Sequence, residues 1–273
     1  MEKEDSMDDK YQIPVQQETI LEYLKSHHLQ HCPAWFAGSL VEGVGNASSD
    51  VDVYIVADSI DAHPNYVTST ADYKIDIQYI DGIRVDYEIW RRDAVTGLAK
   101  RLDQLPLDSL DNNVIDSFNE NEIDFIHRIF YRQDIGNAGE ISSLAALFND
   151  DRLKRYLIEN KRMYLDDAYD DAVGMLESGF TKASVLRSVE ALGFAVDMLL
   201  YANGFTNTKE KHRVTFYSRL AQNNELLSEY FMYYWQFISS KPTAEKAQMR
   251  YVRMLLKWVE RFVALSYKKM EVL

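Results

Sequence analysis

The stretch Gly38–Val56, GSLVEGVGNASSDVDVYIV, decides how this chain is read. Just ahead of it, AWFA is a short apolar run that predicts a buried strand ending at Gly38. After a Gly/Asn/Ser loop, VDVYIVA (51–57) carries β-branched residues at 51, 53, 55 and 56 and predicts a second strand. Asp50 and Asp52 stand two apart where that strand begins, so both carboxylates leave the same face. Like charges this close repel unless a cation lies between them. Carboxylate oxygens in a half-open set suit Mg²⁺ (or Mn²⁺), completed by water and phosphate oxygens. The turn at Gly38 and Ser39 adds backbone N–H groups and a hydroxyl of the kind that hold phosphate. A lone Asp-x-Asp at a strand start usually means nothing. Here Gly-Ser, a ten-residue interval and two flanking apolar strands accompany it.

Downstream, YKIDIQYIDGIRVDYEIW (73–90) predicts a hairpin, because Asp81-Gly82 suits the positive φ angles of a type I′ turn between two alternating runs. With those two residues as the loop, Ile80 faces Ile83, Gln78 faces Val85, Ile77 faces Asp86 and Asp76 faces Tyr87. Asp86 and Glu88 then share a face with Ile75, Ile77 and Tyr79, and Asp76 lies on the other. Helical spacing rules most of the rest: a first helix near 15–27 after Pro14, two more at 93–103 and 119–132 joined by DSLDNN, and a long one from Asp150 to Glu177. Thr181 is the expected N-cap of a helix carrying Val185, Val189, Leu192, Val196 and Leu199, which stops at Asn203-Gly204. Further helices are expected at 209–222, 224–239 and 243–269. The predicted class is α/β plus all-α: an acidic tail at 1–13, a small mixed sheet with helices at 14–92, a helical connector at 93–149 and a helical bundle at 150–273.

Taken together, Gly38-Ser39, the ten-residue interval, Asp50-Val51-Asp52 and the strand IRVDYEI resemble the DNA polymerase β-like nucleotidyltransferase superfamily. The minimal and the aminoglycoside (kanamycin) nucleotidyltransferases, with a C-terminal helical domain, are nearest in flavour. The resemblance covers roughly residues 35–90 and is only architectural beyond them. It implies that Asp50 and Asp52 bind divalent metal on a nucleoside triphosphate and that Gly38 and Ser39 hold phosphate. A third carboxylate on a later strand completes the set: Asp86 by the hairpin register, with Glu88 as the backup, its alternative being a solvated strand-end acid. The implied reaction is transfer of a nucleoside monophosphate, AMP from ATP, to a hydroxyl with release of pyrophosphate. A small-molecule acceptor, a protein acceptor and a non-catalytic nucleotide binder all stay open, as does a homodimer.

Charge separates the halves. Residues 1–150 sum to −17 and residues 151–273 to +4, for −13 overall. An acidic chain is a poor partner for long nucleic acid, whose affinity comes from cations on phosphates. Within KEKHR (209–213), Lys209, Lys211 and Arg213 are candidates for holding the triphosphate, against the alternative of a solvated helix start. His127, in FIHRIF, reads as a partly buried helix residue. One cysteine, Cys32, no apolar N-terminal run and no long apolar stretch fit a cytoplasmic protein without a membrane segment.

Overall fold

The computed structural model describes residues 13–60, 66–107, 117–222 and 224–271. The acidic tail up to residue 12 and the DSLDNN turn lie outside the described residues. The chain divides into two compact units, residues 1–104 with 120–149 and residues 105–119 with 150–273. No helix among the described residues is long and apolar enough to cross a membrane.

The first unit is a six-stranded mixed sheet with helices. Its elements are α1 (Gln17–Ser26), β1 (Ala34–Ala37), α2 (Gly38–Val41), β2 (Val51–Ala57), β3 (Thr68–Ser69), β4 (Tyr73–Ile80), β5 (Ile83–Arg91), α3 (Arg92–Asp103), α4 (Glu120–Phe130), β6 (Gln133–Gly136) and α5 (Ala138–Ala145). The strand order is β3-β4-β5-β2-β1-β6, and only β2 and β5 run parallel. The β4–β5 hairpin has the register that the Asp81-Gly82 turn predicts, from Ile80↔Ile83 to Asp76↔Tyr87. Asp81 and Gly82 both take positive φ, 52° and 83°, which sets the turn and so every side chain along both strands.

On one face of the sheet Val51, Val53, Ile55, Val85, Tyr87 and Ile89 pack with Ile20 and Leu24 of α1 into one core. On the other face Tyr54, Trp35, Trp90 and Phe125 of α4 are buried together, with ring centroids 4.6–5.9 Å apart. Strand β2 is thus covered on both sides, which is why VDVYIVA reads as a nearly continuous apolar run. Helices α3, α4 and α5 and strand β6, all within the expected helical connector, fall in the sheet unit. Strand β6 is four residues of polar character (QDIG) at the sheet edge, too short to show alternation.

The second unit is helical: α6 (Asp150–Glu177), α7 (Thr181–Ala202), a 3₁₀ turn (Glu210–His212), α8 (Arg213–Ala221), α9 (Glu225–Ser239) and α10 (Glu245–Met270). Helices α6 and α10 both pack on α7. Leu192, Val196 and Leu199 of α7 are buried with Val252, Leu255, Val259 and Phe262 of α10, and Val189 only partly so. The N-cap of α7 is Phe180, with Thr181 as a buried first-turn residue. Gly179 at φ 80° closes α6, and Gly204 at φ 91° follows α7.

One charge sits deep in this unit. Asp197, 5% exposed, lies in the middle of the apolar face of α7. Arg213 donates to both of its oxygens, at 2.6 and 2.8 Å, and Lys161 Nζ stands 3.6 Å away. Such a buried pair is held by mutual need, since either charge alone would be stranded. Arg213→Met should therefore cost about 3–5 kcal/mol. The double variant Asp197→Leu/Arg213→Met should recover most of that loss, measured by chemical denaturation.

Candidate functional site

Parallel pairing of β2 with β5 sets Asp52 directly beside Asp86 and Tyr54 beside Glu88. Side chains alternate along a strand, so these four share the face covered by α4. Asp76 is on the opposite face, 1% exposed, where it accepts hydrogen bonds from Tyr23 Oη at 2.7 Å and Gln78 Nε2 at 3.0 Å. It is a fixture of the α1 side and takes no part in the acid face.

The turn leading to this face is cramped. Gly38 has φ 79°, and a methyl group built on it would overlap the Asp52 carboxylate. Only glycine meets both demands. Ser39 carbonyl accepts the N–H groups of Val44 and Gly45, each at 2.8 Å, which rolls the loop back on itself. Ser39 Oγ then lies 3.3 Å from Ser49 Oγ, and Ser49 Oγ accepts the Asn46 N–H at 2.8 Å. The loop's two ends, Gly38-Ser39 and Ser49-Asp50, are thereby held together. Its middle is anchored by Glu42, whose carboxylate is 3.3 Å from Nε2 of the buried His127, both side chains 4% exposed.

Two arginines answer the carboxylates. Arg84 donates to both oxygens of Asp86, at 2.7 and 2.6 Å, and its Nε is 4.0 Å from Asp50. Arg128, on α4, donates from Nη1 to Asp52 Oδ1 at 3.1 Å and to Tyr54 Oη at 2.6 Å. Tyr54 in turn donates to Glu88 Oε1 at 2.7 Å, and Trp90 Nε1 donates to Glu88 Oε2 at 3.2 Å. Glu88 is thus embedded in a central strand by two side-chain donors, not solvated at a sheet edge. Burial pushes the Asp52 carboxyl up to about 7; Arg128 opposes this, while Asp50, Glu88 and Asp86 add to it. Burial likewise raises Glu88, against Arg128, Tyr54 and Trp90. Burial disfavours the Arg128 charge, but Tyr54, Asp52, Asp124 and Glu88 more than offset it and hold the group well above its ordinary range.

Among the described residues no three acidic, histidine or cysteine side chains form a ready-made ligand set. The donors present nonetheless fit a hard divalent cation. Asp50 and Asp52 supply oxygens at one strand start, and Mg²⁺ typically takes one or two carboxylates with substrate phosphates supplying the rest. Burial is the main cause of the raised Asp52 carboxyl, and the neighbouring acids Asp50, Glu88 and Asp86 add to it. Of the remaining candidates, Lys209, Lys211 and Arg213 all belong to the helical unit, where the fork of Arg213 is taken by Asp197. Arg128 and Tyr54 escaped the sequence reading. The one available signal was a cation inside the apolar run FIHRIF, which drew attention to His127 instead.

A mixed sheet with a Gly-Ser turn and acids on adjacent parallel strands precedes a helical bundle in this chain. The same fold occurs in a nucleotidyltransferase-like protein from Exiguobacterium sibiricum 255-15. The two structures superpose with a TM-score of 0.52 at 11% sequence identity, over 93% of this chain and 78% of that one. At that identity the likeness is one of fold, and it does not single out the kanamycin type. No protein-family model matches the sequence, and no curated protein does.

Two outcomes follow from this geometry. Gly38→Ala should destabilise the protein and disturb Asp52 first, seen as a lower melting temperature, because the position has neither the space nor the φ for a side chain. A carboxyl with a raised native pKa binds its proton more tightly when folded, so its effect is to lower stability as pH rises from about 4 to about 7. Wild-type protein without added metal should lose up to about 4 kcal/mol over that range relative to Asp52→Asn. Denaturation of both proteins across pH 4–8 measures it, and parallel curves would refute the assignment.

Proposed function

We propose that this protein is a metal-dependent nucleotidyltransferase that moves a nucleoside monophosphate, AMP from ATP, onto a hydroxyl of a small-molecule acceptor and releases pyrophosphate. The observation that carries the reading is Asp52 beside Asp86 on parallel β2 and β5, with the Gly38 turn pressed against the Asp52 carboxylate. Asp50 and Asp52, with Asp86, are the residues that would hold Mg²⁺ or Mn²⁺, which when bound neutralises the triphosphate and orients its α-phosphorus. Gly38 and Ser39 bind phosphate oxygens through backbone N–H and hydroxyl. Asp86 takes the acceptor's proton as the new bond from oxygen to the α-phosphorus forms and the bond to pyrophosphate breaks. The buried wall of Tyr54, Trp90 and Phe125 behind the acids keeps water from that side.

A second reading has its own support. Arg84 occupies both oxygens of Asp86 and Arg128 one oxygen of Asp52, an arrangement that also suits a module that binds nucleotide without turning it over. Incubation with each labelled nucleoside triphosphate, Mg²⁺ and panels of small-molecule and protein hydroxyl acceptors decides between them. Pyrophosphate release with label on an acceptor, abolished in Asp52→Asn, is the expected result. Triphosphate binding with no release under any acceptor would establish the binding module.

A further inference from the structure

The geometry points to Arg128 as a positioning residue for Asp52, an inference that rests on the nucleotidyl-transfer reading above. Its side chain is 16% exposed and touches the acid face through a single nitrogen, Nη1. Nη1 carries two hydrogens, and its two close acceptors are Asp52 Oδ1 and Tyr54 Oη. Glu88 Oε1 is 3.7 Å from the same nitrogen, and Asp124, one turn earlier on α4, is 3.9 Å from Nη2. Tyr54 passes the contact on to Glu88, so a relay runs from α4 through β2 to β5.

The two oxygens of Asp52 therefore have different neighbours. Oδ1 is held by Arg128, and Oδ2 lies against Gly38, where the phosphate-binding turn begins. Fixing one oxygen fixes the carboxylate plane and so the direction in which the other is offered. A side chain that orients a ligand in this way affects the ion without touching it. Arginine suits the task because its planar fork meets separate acceptors in set directions, whereas an ammonium is a single rotating point charge. Arg128 lies outside the proposed contacts with triphosphate and acceptor; it acts through Asp52.

A mere counter-ion and a positioning residue make opposite forecasts. Removing a plain counter-ion leaves more negative charge, and binding of a divalent cation tightens. Removing a positioning residue lets the Asp52 carboxylate turn away, and binding weakens. The probe is Mn²⁺ alone, titrated by electron paramagnetic resonance against the full-length protein, with kcat for pyrophosphate release measured alongside. Arg128→Met is expected to weaken Mn²⁺ binding and lower kcat by about 10- to 100-fold, with Arg128→Lys falling between it and the wild type. Tyr54→Phe keeps the ring in the core and removes only the hydroxyl relay. It should lower kcat by about tenfold and covers the case in which the Arg128 variants fail to fold. Tighter Mn²⁺ binding in Arg128→Met, or wild-type values in Tyr54→Phe, would overturn the inference while leaving the nucleotidyl-transfer reading intact. Wild-type protein that neither binds Mn²⁺ nor releases pyrophosphate would remove both.

Discussion

Carboxylates do not gather on neighbouring strands for nothing, and the arrangement of the sheet unit is best understood from that repulsion. Asp52 and Asp86 are forced side by side by the backbone ladder between β2 and β5, with Glu88 two residues further on and Asp50 two residues back. Each carboxylate brought out of water needs either a cation or several good donors. The chain answers from three directions: Arg84 from the same strand as Asp86, Arg128 from the helix above, and the hydroxyl and indole donors that hold Glu88. The surplus charge that remains is what a divalent cation and its triphosphate would meet.

This balance explains why the surroundings are built so tightly. The Gly38 turn can approach Asp52 only because it lacks a Cβ. Helix α4 has to lie across the acid face to deliver Arg128, and it is kept there by Phe125 among Tyr54, Trp35 and Trp90. The next residue back along α4 from Arg128, His127, meets Glu42 in the loop between the turn and β2. One helix thus fixes both the strand that carries the acid and the loop that faces it.

Much of this was legible in the sequence where the determinants are local. A two-residue turn with positive φ at Asp81 and Gly82 fixes hairpin register, and register alone separates Asp76 from Asp86. The Gly-Ser turn and Asp50/Asp52 sit within one strand–loop–strand unit, so their spacing could be read directly. What stayed hidden depends on contacts distant in the chain. Arg128 meets Asp52 across 76 residues, and an amphipathic helix does not announce which sheet face it will cover. Strand β6 was invisible because four polar residues at a sheet edge show no period. For the helical unit, periodicity located α6 and α7 closely, yet gave no warning that Asp197 would be buried with Arg213, since partners on separate helices leave no mark in either helix's pattern.

The indole of Trp90 is joined to the acid cluster by its bond to Glu88 and stacked on Tyr73 at 4.6 Å between ring centroids. An indole's emission energy follows the electric field across its ring. The fold thus places a fluorophore one hydrogen bond from the carboxylates, and the emission of Trp90 is expected to shift when positive charge reaches Glu88.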